Sequence, residues 1–128
     1  MVGQEDRRKA FLRAISDDYT RRIISGTMAE AKSIEEIRHE SGIPISTCYR
    51  RVHELVNLRL LRIESIVITA AGKKFERFRS VISGATISLL SNELVIDVEM
   101  NPEAADDQLN SMWKSIKREN EDLIPLSA

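Results

Sequence analysis

The residues with most to offer a ligand cluster between Ile45 and Asn57. Wound as a helix, this stretch places Cys48, Val52 and Leu55 on one apolar side, because they recur at intervals of four and three. Ser46, Tyr49, Arg50, His53 and Asn57 then fall on the opposite side. The chemistry such a side can perform is recognition. Hydroxyls in a first helical turn, here Ser46 and Thr47, sit beside the positive end of the helix dipole, where they can bond phosphate oxygens or a base edge. One turn on, Arg50 carries a planar fork of donors that matches O6 and N7 of guanine. Tyr49 can touch a thymine methyl or a phosphate, and His53 can reach a base or the backbone. Arg51 lies at the flank, where a phosphate contact is expected. Further along, Lys73, Lys74 and Arg77 or Arg79 form a second cationic group, suited to holding phosphates without reading sequence.

Sets of residues that would do covalent or acid–base chemistry are missing. The five glycines, at positions 3, 26, 42, 72 and 84, form no phosphate-cradling loop. His39 and His53 have no cysteine or carboxylate at metal-ligand spacing, and His39-Glu40 alone is not a zinc motif. The single cysteine, Cys48, falls on the inward side of its helix and is read as a small buried hydrophobe rather than a redox switch. No enzyme, metal or cofactor is expected.

The elements that must position these side chains can be read from periodicity and punctuation. Gln4 to Ile15 is a charged helix with an apolar stripe of Ala10, Phe11, Ala14 and Ile15. Ser16-Asp17 breaks it and caps a second helix, Asp18 to Ala29, which buries Tyr19, Ile23, Ile24 and Met28. Ser33-Ile34-Glu35-Glu36 is a capping box that opens a short helix to Glu40, stopped by Gly42. The helix of Ile45 to Asn57 follows at once. Two helices joined by a tight glycine turn, the second apolar inside and polar outside, are the plan of the DNA-binding helix-turn-helix. Leu58 to Thr69 changes to a β-branched pattern and reads as a strand, with a bulge at Ser65. After the turn Ala70-Ala71-Gly72-Lys73, Lys74 to Ser80 is read as the return strand. The rival is a helix over Ala71 to Ile82, since Phe75, Phe78 and Ile82 are spaced by three and four. Ala85 to Leu90 and Glu93 to Met100 form a second strand pair about Ser91-Asn92, with Leu94, Ile96 and Val98 alternating against Glu93, Val95, Asp97 and Glu99. A last helix is expected from Glu103 to Asn120, with Leu109, Met112, Trp113 and Ile116 as its apolar stripe, followed by a frayed end from Glu121.

Charge supports a polyanion partner once it is resolved along the chain. The net charge of the 128 residues is −1. Residues 44–80 hold 8 Lys/Arg against 3 Asp/Glu, whereas residues 84–128 hold 3 against 9. A basic middle can face a polyanion while an acidic end faces away. The charged N-terminus lacks the apolar stretch of a signal peptide, and no apolar run is long enough to span a bilayer, so a cytoplasmic protein without membrane contact is expected.

The run Ser41-Gly42-Ile43-Pro44-Ile45-Ser46-Thr47-Cys48-Tyr49-Arg50-Arg51-Val52, with Leu55 and Leu58 to Leu61 after it and Ser33 to Ile37 before it, resembles the winged-helix domain of the bacterial and archaeal ArsR-like transcription regulators, archaeal members most of all. The resemblance covers roughly residues 15 to 80 and is most specific from Gly42 to Leu61. It implies a homodimer that places one reading helix per subunit in the major groove of double-stranded DNA, with a β-hairpin wing along the phosphates. Metal-sensing members carry clusters of cysteine and histidine that this chain lacks, so their sensing chemistry is not implied. The expected fold is therefore α+β: a winged helix-turn-helix, three-helix core plus wing, over residues 17–82. An N-terminal helix (1–16) flanks it on one side. A C-terminal β-hairpin and helix (83–128), a dimerisation or partner region, flank it on the other. A winged-helix module that docks proteins of the transcription machinery is the competing expectation.

Overall fold

The computed structural model describes residues 4–104 and shows an α+β chain of four helices followed by two antiparallel hairpins. The helices are α1 (Gln4–Ile15), α2 (Asp18–Gly26), α3 (Ile34–Ser41) and α4 (Ile45–Asn57). The strands are β1 (Leu61–Ile68), β2 (Lys74–Ser80), β3 (Ile82–Leu90) and β4 (Glu93–Met100), paired β1 with β2 and β3 with β4. Residues 71–80 are turn and strand, so the rival helix over this stretch is not formed. The expected terminal helix lies outside the described residues, apart from its start, where residues 102–104 form a turn.

Local chemistry sets the helix boundaries. The Asp17 carboxylate accepts the Thr20 amide at 2.9 Å and caps α2. The expected capping box of α3 is present: Ser33 Oγ accepts the Glu36 amide and the Glu36 carboxylate accepts the Ser33 amide. Gly42 ends α3 at φ 73, in the left-handed region where a side chain is strained. α2 stops at Gly26, three residues short of the sequence expectation. There the Thr27 hydroxyl donates to the Ile23 carbonyl at 2.8 Å, taking an acceptor at the helix end. α4 ends on a motif that no sequence signal announced. The Leu60 amide reaches back to the Leu55 carbonyl and the Arg59 amide to that of Val56, with Arg59 at φ 62. This is a Schellman stop with arginine where glycine is favoured, closed by the buried side chains of Leu55 and Leu60.

One core joins these elements. Phe11 of α1, Ile23 and Ile24 of α2, Ile37 of α3, Val52 and Leu55 of α4, Phe78 of β2 and Ile96 and Val98 of β4 all belong to it. The β1–β2 hairpin is tied to the helices by backbone. Lys32, in the α2–α3 connection, exchanges two hydrogen bonds with Phe78 at 2.9 and 2.8 Å, and the Ser80 amide donates to the Thr27 carbonyl. The bulge in β1 falls at Glu64, the residue left unpaired between Ile63 and Ser65, rather than at Ser65. It gives Glu64 a path to Arg79, 3.3 Å away. The β3–β4 hairpin turns through Ser91 (φ 49) and Asn92 (φ 67), a two-residue loop whose positive φ angles match the strand twist. Its burial departs from the expected alternation: Ile96 and Val98 are buried, but so is Val95, while Leu94 is exposed.

The two left-handed residues that end helices, Gly42 and Arg59, predict opposite responses. Gly42→Ala should lower unfolding stability by about 1 kcal/mol, and Arg59→Gly should raise it by a similar amount. Urea unfolding of the two variants beside the parent reads both; shifts of the same sign would contradict the assigned conformations.

Candidate nucleic-acid interface

The roll of α4 decides which side chains a ligand can meet. Cys48 and Val52 are completely buried and Leu55 nearly so, as the spacing predicts. The thiol of Cys48 donates weakly to the Ile34 carbonyl, and burial pushes its pKa up, away from the reactive thiolate. With that side inward, Ser46, Tyr49, Arg50 and His53 are exposed and Thr47 is half-buried. The rings of Tyr49 and His53, one helical turn apart, stack with centroids 6.4 Å apart and planes 19° apart. The residue before α4 is Pro44, which offers no side-chain cap, and the first turn holds no acid. Its free amides therefore keep their positive end open beside the Ser46 and Thr47 hydroxyls.

The cations divide into two groups. The side chains of Arg50, Lys73 and Lys74 are exposed and make no ion pair or hydrogen bond among the described residues. Arg51 does not share that freedom. Its guanidinium straddles the Asp17 carboxylate at 3.0 and 3.1 Å and also meets Glu54 at 3.5 Å. Arg77 donates to the Ala31 carbonyl at 2.9 Å and lies 3.7 Å from Glu36. Arg79, entertained as a phosphate ligand, is buried; it bonds the Met28 carbonyl and pairs with Glu64 and Glu103. Arg62 bonds the Ala104 carbonyl. Half of the eight cations of residues 44–80 thus work inside the fold, and the surface is less basic than the sequence count suggests.

Two of the free cations, Lys73 and Lys74, border a cleft of about 550 Å³ between α4, the start of α3 and the β1–β2 hairpin; Arg50, Ser46 and Thr47 lie outside its lining. Tyr49 and His53 line one wall, and Thr69, Lys73, Lys74 and Phe75 the other. Thr69 Oγ1 accepts the Lys73 amide at 3.0 Å, which shapes the tip with Gly72 at φ 82. Two carboxylates also border the cleft, Glu35 and Glu76; Arg38 pairs with Glu35 at 2.8 Å. Sequence reasoning missed Thr69, Phe75 and Glu76 as cleft residues. The hairpin register, Val67 opposite Phe75 and Ile66 opposite Glu76, is what brings them there, and no local pattern encodes it. Among the described residues no group of three or more His, Cys, Asp and Glu side chains converges, and no helix is long and apolar enough to cross a membrane.

Asp17 serves two elements at once, α2 as its cap and α4 through Arg51. Burial raises its pKa, but bonds from the Thr20 amide, Arg51 and the Thr20 hydroxyl outweigh that and hold it below the usual carboxylate range. Comparison with protein-family models and with curated proteins finds no match for the chain.

A depressed folded pKa contributes stability that is complete above the unfolded value and disappears as pH falls through the folded one. Stability should therefore drop between about pH 5 and pH 2, and Asp17→Asn should drop less over that window because it has no such proton to take up. Urea midpoints at pH 6 and pH 3 for parent and variant measure the difference; equal drops would remove Asp17 from the acid response.

Proposed function

We propose that the chain is a sequence-specific regulator that binds double-stranded DNA in the winged helix-turn-helix manner, with α4 in the major groove and the β1–β2 hairpin as the wing on phosphates. The observation that supports this reading best is the shared cleft: Tyr49 and His53 on the exposed side of α4 and the free lysines of the hairpin tip border the same opening. The resemblance of Gly42 to Leu61 to the ArsR-like regulators points the same way. Arg50 is the base-reading residue, because it is the α4 cation that no partner in the fold occupies. Ser46, Thr47, Tyr49 and His53 contact phosphates or base edges nearby, and Lys73 and Lys74 hold the backbone. Arg51 and Arg77 act one step back. Arg51 fixes α4 against Asp17, and Arg77 fixes the hairpin against the α2–α3 connection. Reading two half-sites requires two copies of the chain, related by a two-fold axis.

A second reading, a module that docks a protein of the transcription machinery, is favoured by one feature. Ile63, Ile66 and Ile68 are exposed along β1, where a DNA-facing hairpin gains nothing from them.

Titration of fluorescent duplex DNA separates the two. The expected result is binding whose affinity falls with salt at a log–log slope of about −0.9 per neutralised phosphate. Lys73→Ala should weaken all sequences alike and reduce that slope by about one. Arg50→Ala should erase about 1–3 kcal/mol of preference for the selected site. A uniform loss from Arg50→Ala would remove it from base reading, and absence of binding at micromolar protein and low salt would overturn the DNA reading in favour of the docking one.

A further inference from the structure

The cleft between α4 and the β1–β2 hairpin is furnished for something smaller than a duplex. Its volume of about 550 Å³ falls within the range of about 300–1,000 Å³ that holds small molecules. Aromatic rings stand on both walls, Tyr49 and His53 on α4 and Phe75 on β2. The Tyr49 and His53 rings are nearly parallel, with planes 19° apart, but their centroids are 6.4 Å apart, beyond face-to-face contact. Tyr49 is 49% exposed, so ring surface is left for a third aromatic group. Charge along the cleft is laid out in order. Lys73 and Lys74 stand at the hairpin tip without an ion pair or hydrogen bond from their side chains among the described residues. Glu76 lies two residues further from the tip on β2, on the same side of the strand as Lys74, and it too has no such partner. Lys74 and Glu76 are thus close neighbours that do not pair. Glu35, on the α3 side, is answered by Arg38 at 2.8 Å. What remains is a flat aromatic wall, two open cations at the tip and one bare carboxylate further in.

We propose that this cleft binds a single nucleotide, with the base stacked on Tyr49 and His53 against Phe75, the phosphate held by Lys73 and Lys74, and an N–H edge of the base on Glu76. Each feature removes a rival class of ligand. An aliphatic molecule forgoes the stacking that the rings offer. An uncharged aromatic leaves the lysines unanswered. An aromatic carboxylate or a bare phosphate answers the lysines, but it sets an anion beside Glu76, whose ionised carboxylate can only accept hydrogen bonds. A nucleobase brings the donors that Glu76 needs. Guanine presents a ring N–H and an amine side by side, which suits the two oxygens of one carboxylate, whereas adenine sets its amine beside a ring acceptor. Guanine is therefore the favoured base. The same base and phosphate occur in an unpaired residue of a single strand, which the test below separates from the free nucleotide. The inference rests on the DNA reading for one consequence only. That reading gives Tyr49, His53, Lys73 and Lys74 to the duplex, so a bound nucleotide excludes DNA and acts as its effector.

Calorimetric titration of the full chain with GMP at fixed ionic strength tests it. One GMP should bind per chain, with a dissociation constant on the order of 10–100 µM. Guanosine, which lacks the phosphate, should bind about tenfold more weakly or worse, and AMP more weakly than GMP. Glu76→Gln should cancel the preference for GMP over AMP. Tyr49→Ala should weaken both nucleotides roughly five- to hundredfold, the worth of one base stacked on an aromatic ring. Lys73→Ala with Lys74→Ala should bring GMP down to the level of guanosine, while Glu93→Gln, on the other hairpin, should change nothing. No saturable binding up to about 1 mM GMP, guanosine as tight as GMP, or a GMP-to-AMP ratio untouched by Glu76→Gln would each overturn the proposal. The guanosine comparison uses the parent chain, so it decides even if a variant fails to fold. A guanine-containing single strand that binds more than about tenfold tighter than GMP would overturn the assignment to a free nucleotide. Added GMP should also release bound duplex as it saturates the chain. GMP binding without any duplex binding would sink the DNA reading and support this one, and duplex binding undisturbed by saturating GMP would overturn the effector role.

Discussion

The burial of three side chains on one helix governs what this protein can present to a partner. Cys48, Val52 and Leu55, buried to 1% exposure or less, fix which side of α4 faces the core. Each fully buried aliphatic contributes about 1.5–3 kcal/mol relative to exposure, and turning the helix by one residue would bring Tyr49 or Arg51 toward the core in exchange. A guanidinium without a partner in an apolar interior costs several kcal/mol more. The outward position of Arg50 is therefore a by-product of packing rather than of anything Arg50 does. The bidentate contact between Arg51 and Asp17 adds a polar registration mark on the flank of the same helix, and because Asp17 also caps α2, the angle between α2 and α4 and the roll of α4 are set together.

The second wall of the cleft depends on a different kind of constraint. A hairpin of two strands has little intrinsic stability. Here β2 is held from its outer side by backbone bonds to Lys32 and Thr27, and by Arg77 and Arg79 reaching the carbonyls of Ala31 and Met28. These arginines spend their charge on geometry. They turn the α2–α3 connection, which carries no strand signal, into the anchor that keeps Lys73 and Lys74 facing α4. The same economy runs through Glu64, whose place at the bulge makes it a partner for the buried Arg79. Exposed charge on this protein is what remains after the fold has taken its share.

Much of this was legible before any coordinates. The capping box at Ser33, the glycine stop at Gly42, the 3.6-residue period of Ile45 to Asn57 and the turn at Ala70 to Lys73 are local signals, each satisfied within a few residues of itself, and the elements fall where those signals put them. The return strand of Lys74 to Ser80 could not be settled locally, because Phe75, Phe78 and Ile82 suit a helix as well as a strand; pairing with β1 and Lys32 settles it. The end of α4 was illegible for the opposite reason. Arg59 is a poor left-handed residue, and the burial of Leu55 and Leu60 on either side of the stop offsets its strain.

By itself, then, the amino-acid order determined the presence of the four described helices, the caps at Asp17, Ser33 and Gly42, the inward side of α4 and the presence of a basic middle segment, since all of these follow from spacing along one chain. Which cations stay available was decided only by tertiary structure. Arg50, Arg51, Arg77 and Arg79 are indistinguishable as residue types, and their fates differ because Asp17, Ala31, Met28, Glu64 and Glu103, distant in sequence, stand within reach of three of them and not of the first. The exposure of the β3–β4 face has the same origin: alternation predicts an apolar side, but whether a neighbour covers it depends on how far the core extends, and this core stops at Ile96.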